Sequence, residues 1–415
     1  MNNNDHKIVI AGAGPAGAAT SLFLCKNKIP HVILDKATFP RDKICGDALS
    51  GKVVDVLRKL DEKLLEELGV NNEQFLGSYG VKFSAPSGKS VNIPFASDIS
   101  KLKEAPGFIS KRIHFDHFLF QKIDRSIATV MENTEIKEMK QEGDYVSLIV
   151  LQNGIEKRIN CKLLIGAEGD RSIVSKKLAG TIKEDKHYCA GLRAYYKGVN
   201  NFHGQNYIEL HFMKEALPGY FWIFPLPNGE ANVGIGMLSS EVSLKKVNLK
   251  KMMMDIIQHH PDMKERFSKA EIMGDIKGWG LPLGSRKRKI SGDNFLLVGD
   301  AASLIDPFTG EGIGNGMLSG MLAAKQIQEA ILADRFDADF LSAYDKKIYD
   351  TLWRELKISH TLQKLSKYKW LFNFVINKAA KSKRLRDSMM MMFENVEARN
   401  RLMNPLNYLK LLFRN

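Results

Sequence analysis

Gly12-Ala13-Gly14-Pro15-Ala16-Gly17, followed by an acid at Asp35, is the first group of residues whose types and spacing suit a chemical task. In a G-x-G-x-x-G turn the first glycine permits a tight bend, the second lets the backbone approach a pyrophosphate, and the third lets a helix pack closely on a strand. Pro15 and Ala16 stand where that helix would start, with free N–H groups and the positive end of its dipole turned to the phosphates. Asp35 lies 18 residues beyond Gly17, where a carboxylate accepts hydrogen bonds from ribose hydroxyls, and Lys36 is a candidate contact beside it. The elements needed to hold these residues are legible around them. Lys7 to Ala11 (KIVIA) reads as a buried strand, Ala18 to Lys26 as a helix, and His31 to Leu34 (HVIL) as a second strand. Strand, glycines, helix, strand and acid in that order imply a bound adenine dinucleotide, but leave FAD and NAD(P) equally open.

A second group stands near the other end. Asn294 to Val298 reads as a strand running into a Gly299-Asp300 turn, then Asp306-Pro307 and Gly310-Glu311-Gly312-Ile313-Gly314-Asn315-Gly316, with a helix to about Leu332. So many glycines in a short stretch cost backbone entropy unless something must approach closely. These residues resemble the flavoprotein family that includes para-hydroxybenzoate hydroxylase and the geranylgeranyl reductases. The resemblance implies FAD, with the Asp300 carboxylate on its ribityl chain. It also implies that the loop from Pro307 through Gly310, Gly312 and Ile313 to Gly314 faces the pyrimidine edge of the isoalloxazine, where a helix start steadies the negative charge of reduced flavin. Two middle segments fit the same family. Ser110-Lys111-Arg112 matches its arginine at a helix start, so Arg112 is expected at cofactor phosphate or ribose oxygens. Leu163 to Ser172 resembles its Asp-Gly fingerprint and brings in Gly169, with Glu168 where Asp is usual.

Two further motifs bear on the reaction. Tyr220-Phe221-Trp222-Ile223-Phe224-Pro225, followed after eight residues by Gly234-Ile235-Gly236, is similar to the signature of the geranylgeranyl reductase branch. Alternation on a strand places Tyr220, Trp222 and Phe224 on one face, either as a pocket wall or as ordinary sheet core. Pro40-Arg41-Asp42-Lys43-Ile44-Cys45-Gly46-Asp47 is the other motif. By resemblance Cys45 and Gly46 lie beside the isoalloxazine, Cys45 as pocket lining or proton donor, and the bland reading is a small buried hydrophobe. Arg41 is either a phosphate contact or a surface charge. Together these imply a reductase that delivers hydride from reduced FAD to C=C bonds of an isoprenoid or other lipid. The alternatives are a flavin-dependent monooxygenase or halogenase, and a non-catalytic flavin-binding redox sensor. Halogenases usually carry W-x-W-x-I-P, which this chain lacks. No second strand–GxGxxG–helix unit occurs, so NAD(P)H is expected only transiently, or electrons arrive from a protein donor.

At 415 residues, 44% hydrophobic and 26% charged, the chain is globular and long enough for a large core. The fold class expected is α/β, α+β overall: a glutathione-reductase-type FAD-binding Rossmann-like domain, an antiparallel-sheet substrate domain and a helical C-terminal region. The FAD-binding domain is expected from 1–75, 106–180 and 286–330, and the substrate sheet from 76–105 and 181–285. Residues 331–415 should form the basic helical region. Four scattered cysteines form no zinc or disulfide pattern, and no metal is expected. A cytoplasmic location is expected, peripheral on the inner face of the membrane if the tail binds there, with no apolar run of about 18–20 residues and no signal segment. Net charge is +14, and residues 361–415 hold twelve Lys/Arg against three Asp/Glu. Apolar Trp370 to Ile376 between those cations suits either an anionic bilayer interface or packing on the substrate sheet. The expected partners are a lipid or isoprenoid small molecule and peripheral membrane contact through 361–415. No nucleic acid is expected, and the chain is expected to be a monomer.

Overall fold

Strand Asp5–Ala11 is flanked by parallel strands on both sides, Ile155–Gly166 on one and His31–Leu34 on the other. Such a strand is covered on both faces, which is why Ile8, Val9 and Ile10 form an unbroken apolar run with no exposure at all. In the computed structural model, which describes residues 5–394, this sheet runs Ser291–Gly292, Phe295–Leu297, Ile155–Gly166, Asp5–Ala11, His31–Leu34, Ala128–Met131. The hairpin Thr134–Glu142 and Tyr145–Gln152 joins it along the first half of Ile155–Gly166. Register sets where the strands end. Ala11 pairs with Gly166 and with Leu34, and Gly166 pairs with Leu297. Four parallel strands therefore end level, and the turns at Gly12, Asp35, Gly169 and Gly299-Asp300 emerge along one sheet edge, where α/β folds bind their ligands.

The helices behind that edge close the chain on itself. Pro15–Lys26 packs against Ile313–Ala333. Gly316 and Gly320 are four residues apart and so share one helix face. A Cβ at Gly320 would sit 2.4 Å from the Ala16 carbonyl oxygen and 2.8 Å from Thr20 Oγ1. Only a hydrogen there allows the two backbones to touch, and the opposite ends of the sequence meet at that seam.

A second sheet runs Glu271–Pro282, Tyr188–Lys197, Glu230–Leu238, Tyr220–Pro225, Ile208–His211, Gly80–Ser84, Ser90–Pro94. It is antiparallel except for one pair: Ile208–His211 runs parallel to Gly80–Ser84, because the latter arrives from a distant segment and not from a hairpin. Strand Leu76–Ser78 lies outside it, in a small sheet with Gly107–Ile109 and Ala48–Leu49. One face of the large sheet is covered by Leu249–His259 and Pro261–Arg266. The other face holds Trp222 and Phe224 and is roofed by Lys369–Lys381 and Lys383–Glu394, whose Ile376, Ala379 and Leu385 are buried on it. Before them, the long helix Ala338–Leu365 is fixed at both ends, with Tyr344 Oη donating to Leu297 O at 2.8 Å and Gln363 Nε2 to Pro307 O at 2.7 Å. The end of the basic tail, 395–415, lies outside the described residues.

Candidate functional site

Gly12 has φ +101° and a Cβ there would meet the Ala167 carbonyl oxygen at 2.5 Å, so the first turn of the motif requires glycine on both counts. Around Gly14, by contrast, the neighbours of a built Cβ are two guanidinium nitrogens, Arg41 Nη2 at 3.5 Å and Arg112 Nη2 at 4.0 Å. Both arginines are held by one buried carboxylate. Asp116 accepts from Arg41 Nη1 at 2.6 Å, from Arg112 Nε at 2.5 Å and from Arg112 Nη2 at 2.8 Å. Arg41 Nη2 also lies 4.0 Å from Asp35 Oδ2, so two cations and two anions meet at the glycine turn, with the guanidinium nitrogens beside Gly14 where a pyrophosphate would lie. Burial alone would lower the pKa of Arg112, but Asp116 raises it beyond its ordinary value, so the cation is permanent. Helix Pro15–Lys26 starts at Gly14 with no side-chain cap and no acid in its first turn, which leaves its N–H groups for an anion.

Asp35 accepts from Ala13 N at 2.8 Å and Ala37 N at 2.9 Å, so it fixes the turn while keeping lone pairs for a ribose. Lys36 beside it is exposed. The Asp300 carboxylate, on the level edge beside Gly299, accepts no hydrogen bond from the described residues. Burial raises its pKa, and Lys43 and Arg112 oppose the shift through space. Lys43 is lowered to about 8 by burial and by Arg112, and its Nζ sits 3.5 Å from the Trp279 ring centre. It thus joins Arg41, Arg112, Cys45 and Asp300 in one electrostatic cluster, a place its spacing in the Arg41–Cys45 motif left unassigned. Gly169 stands at the same edge with φ +76° and open space over its Cα. Glu168 is turned inward instead, accepting from Ser172 Oγ at 2.6 Å and from the Ile173 and Val174 N–H groups, where it caps the short helix Ile173–Lys177.

The Gly-rich loop completes the ring. Helix Ile313–Ala333 starts at Gly312, again without a side-chain cap or an early acid. A half-buried cluster holds that start: Lys52 Nζ donates to Asn315 Oδ1 at 2.7 Å and Glu355 Oε1 at 2.9 Å, and Ser50 donates to Glu311. Gly314 fits against Ser50 and Lys52, and Pro307 is buried with its carbonyl taken by Gln363. Tyr220 Oη donates to Thr309 O at 2.5 Å and touches Gly310, so the aromatic strand is tied to this loop.

The aromatic motif is explained by its neighbour strand. Trp222 pairs with Gly234 and Tyr220 with Gly236, and a Cβ at Gly234 would lie 2.2 Å from the indole. The two glycines are the seat on which the Trp222 ring lies flat. Its Nε1 donates to Asn232 Oδ1 at 2.9 Å, and Asn232 Nδ2 donates in turn to Cys45 O and to Asp47 Oδ2, both at 2.8 Å. A Cβ at Gly46 would sit 3.2 Å from the Phe224 ring and 3.8 Å from Trp222 Nε1. Cys45-Gly46 is therefore the seam between the charged edge and the ring face. Burial raises the Cys45 pKa, against the opposing pull of Arg112, so the thiol is protonated at neutral pH. The residues singled out in the sequence are brought to this edge, with Lys36 exposed beside Asp35. Asp116, Lys43, Asp47, Asn232 and Tyr195 join them from the structure.

A glycine turn faced by two arginines, two uncapped helix starts and a half-buried acid with no hydrogen-bond donor among the described residues fit an FAD laid across this edge. The family model described as "FAD binding domain" matches residues 5–357. The chain belongs to the FAD-binding domain family. It is an FAD-dependent oxidoreductase with a mixed α/β fold. Among curated relatives of this flavoprotein, a menaquinone reductase of Mycobacterium tuberculosis is 28% identical, covering 80% of this chain and 81% of its own. A digeranylgeranylglycerophospholipid reductase of Methanocaldococcus jannaschii is 29% identical, covering 88% of each. A geranylgeranyl bacteriochlorophyll reductase-like protein of Thermoplasma acidophilum superposes with a TM-score of 0.80 at 22% identity, covering 96% of this chain and 98% of that one. A flavin-dependent brominase shares the fold too, with a TM-score of 0.77 at 21% identity over 98% of this chain and 99% of its own. At those identities the two structures establish the fold alone.

Proposed function

We propose that this flavoprotein reduces carbon–carbon double bonds of an isoprenoid lipid. The observation that carries the reading is the continuity of the apolar ring face Tyr220–Trp222–Phe224 with the Cys45-Gly46 seam and the Gly310 loop. A flat, water-poor surface there would hold a polyene against the cofactor's reacting edge. Bound and reduced FAD supplies hydride; the chain supplies the rest. Gly12, Gly14, Pro15, Ala16, Gly17, Arg41 and Arg112 would hold the pyrophosphate, Asp35 the ribose, Asp300 the ribityl chain, and the loop from Pro307 to Gly314 the pyrimidine edge. Gly169 would line the same edge. Trp222 and Tyr220 would orient the chain, and the roof helices would exclude water. The units doing this work are taken to be 1–75, 106–180 and 286–330 for the cofactor, with 76–105 and 181–285 for the substrate. The relatives' names support a lipid-sized isoprenoid substrate. Electrons would come from transient NAD(P)H or a protein donor, to a monomer.

Membrane contact through the tail belongs to the same proposal. The roof presents Trp370 (69% exposed) and Tyr368 (56% exposed) among Lys364, Lys367 and Lys369. No helix among the described residues is long and apolar enough to cross a membrane. A cation-edged apolar surface of this kind suits an anionic bilayer interface, from which a lipid substrate would be drawn.

The test is anaerobic. Holoprotein reduced with dithionite is mixed with polyprenyl lipids; the expected result is flavin reoxidation with a mass gain of two hydrogens in the lipid. Reoxidation only by oxygen, with hydroxylation or halogenation of an aromatic compound, would replace reduction with the monooxygenase reading.

A further inference from the structure

Hydride addition to a double bond leaves the second carbon short of one proton, and the chain holds a buried group suited to supply it. Asp47 comes directly after the Cys45-Gly46 seam and has no exposure. Its backbone is in the left-handed region (φ 69°), an unfavourable conformation for a residue with a Cβ, and Ser110 N–H donates to its carbonyl at 3.0 Å. Oδ2 accepts from Asn232 Nδ2 and from Tyr195 Oη, each at 2.8 Å. Oδ1 is buried with no hydrogen-bond partner among the described residues. A carboxylate placed so would leave much of its acceptor capacity unfilled, with no ion pair to compensate. The charged and titratable groups facing it are Arg193 and Arg112, acting through space, the neutral Tyr195 phenol and the Cys45 thiol. Burial accordingly pushes the Asp47 carboxyl up to about 6, the hydrogen bonds of Asn232 and Tyr195 working the other way.

Tyr195 connects this reserve to the ring face. It packs against the cluster that contains Trp222, Phe224 and Phe212. Its ring is flanked by two cations, Arg193 with Cζ 4.0 Å and Lys111 with Nζ 4.8 Å from the centroid. Lys111 is paired with Glu230 and Arg193 with the half-exposed Asp42. Burial raises the Tyr195 pKa, which keeps the hydroxyl protonated; Asp47 adds to the rise when ionised, and Arg193 opposes it.

We propose that Tyr195 and Asp47 form the proton relay of double-bond reduction. With Asp47 protonated, the 2.8 Å bond between its Oδ2 and Tyr195 Oη runs from the carboxyl to the phenol, which frees the Tyr195 hydroxyl to give its proton to the carbon opposite the one that receives hydride. Asp47 passes its own proton to the phenolic oxygen and is left as a carboxylate, to be reprotonated from solvent before the next turnover. One hydride and one proton are added, one C=C bond becomes C–C, and the electrons come from FAD reduced by dithionite or by a nicotinamide. Asn232 and Trp222 are positioning residues for the carboxyl. The proposal rests on the reduction reading, and its test keeps the two separable.

With FAD bound and oxidised and no substrate present, an infrared pH titration should show a protonated-carboxyl band that disappears as pH rises through about 6. Asp47→Asn should lack that band, and Tyr195→Phe should shift its loss to higher pH, because one hydrogen bond to the carboxylate is gone. With polyprenyl lipid, the wild-type rate of flavin reoxidation should fall as pH rises through the same range. Asp47→Asn should be about 100-fold slower and flat with pH. Tyr195→Phe should be comparably slow, with lipid KM nearly unchanged in both. If Asp47→Asn loses FAD or fails to fold, the wild-type titration and Tyr195→Phe decide alone. Absence of the band, or either variant reducing lipid at the wild-type rate with the wild-type pH profile, would overturn the relay and leave reduction standing. A band with no lipid reduced would overturn reduction instead.

Discussion

Arg112 bears the most weight at the residue scale. It is buried, doubly bonded to Asp116, and aimed at the second glycine of the first turn. Arg112→Ala leaves a buried carboxylate with one arginine in place of two, which should cost less stability than the roughly 3–5 kcal/mol of a buried charge left wholly unpaired, and most of the FAD affinity. Arg112→Lys keeps the charge but not the fork, so it should recover stability better than affinity. Thermal denaturation and FAD fluorescence titration read the two effects separately; equal loss in both variants would contradict the phosphate role. Asp35 was legible in the sequence because it stands at a fixed distance from a glycine turn, and Arg112 and Asp300 because their motifs resemble those of the family. Asp47 and Tyr195 were not, since their hydrogen bond joins residues 148 apart and each looks ordinary in its own strand or loop.

At the scale of elements, two glycines set distances that the cofactor and the ring face depend on. Gly320→Ala would press a methyl into the Ala16 carbonyl and Thr20, wedging apart the helices that carry both glycine motifs. The expected cost is about 1–3 kcal/mol, with weaker FAD retention, measurable as a lower Tm and a lower flavin-to-protein ratio. Gly234→Ala would lift Trp222 from its seat and should damage lipid turnover more than FAD binding. The strand Ile208–His211 is fixed differently. Glu209 is bonded to His211 and to both terminal nitrogens of Arg266, which joins the sheet to helix Pro261–Arg266. Burial alone would raise its pKa, but these bonds hold it at about 2, below its ordinary value. The stabilisation is therefore fully present above about pH 4.3 and is lost as pH falls toward 2. Glu209→Gln should destabilise the protein at neutral pH and flatten the acid limb of its Tm–pH curve; an unchanged acid limb would show that the carboxylate contributes nothing. The parallel pairing of this strand with Gly80–Ser84 could not be read from local alternation, because direction is set by which distant segment reaches the edge.

For the whole molecule, the level ends of four strands and the glycine seam between helices Pro15–Lys26 and Ile313–Ala333 bring the two ends of the sequence into one site. The fold class and the glycine motifs were plain in the sequence because each is a local signal of strand, turn and helix start. The roof was half visible: the apolar, cation-edged tail was read as either membrane surface or cover, and the structure uses its two faces differently. Ile376, Ala379 and Leu385 face the sheet while Trp370 faces out. Trp370→Glu combined with Lys364→Glu and Lys369→Glu should abolish flotation with anionic liposomes while leaving bound FAD intact; undiminished flotation would remove the membrane role. The central claim, that both ends of the chain hold one flavin, has a more direct measurement: FAD stoichiometry of purified protein and of two variants, Gly14→Val and Asp300→Leu, each checked for native circular dichroism. One FAD per chain in the wild type, and a large loss from either variant alone, is the predicted result. A folded variant altered at one end that still binds a full equivalent with the wild-type spectrum would contradict it.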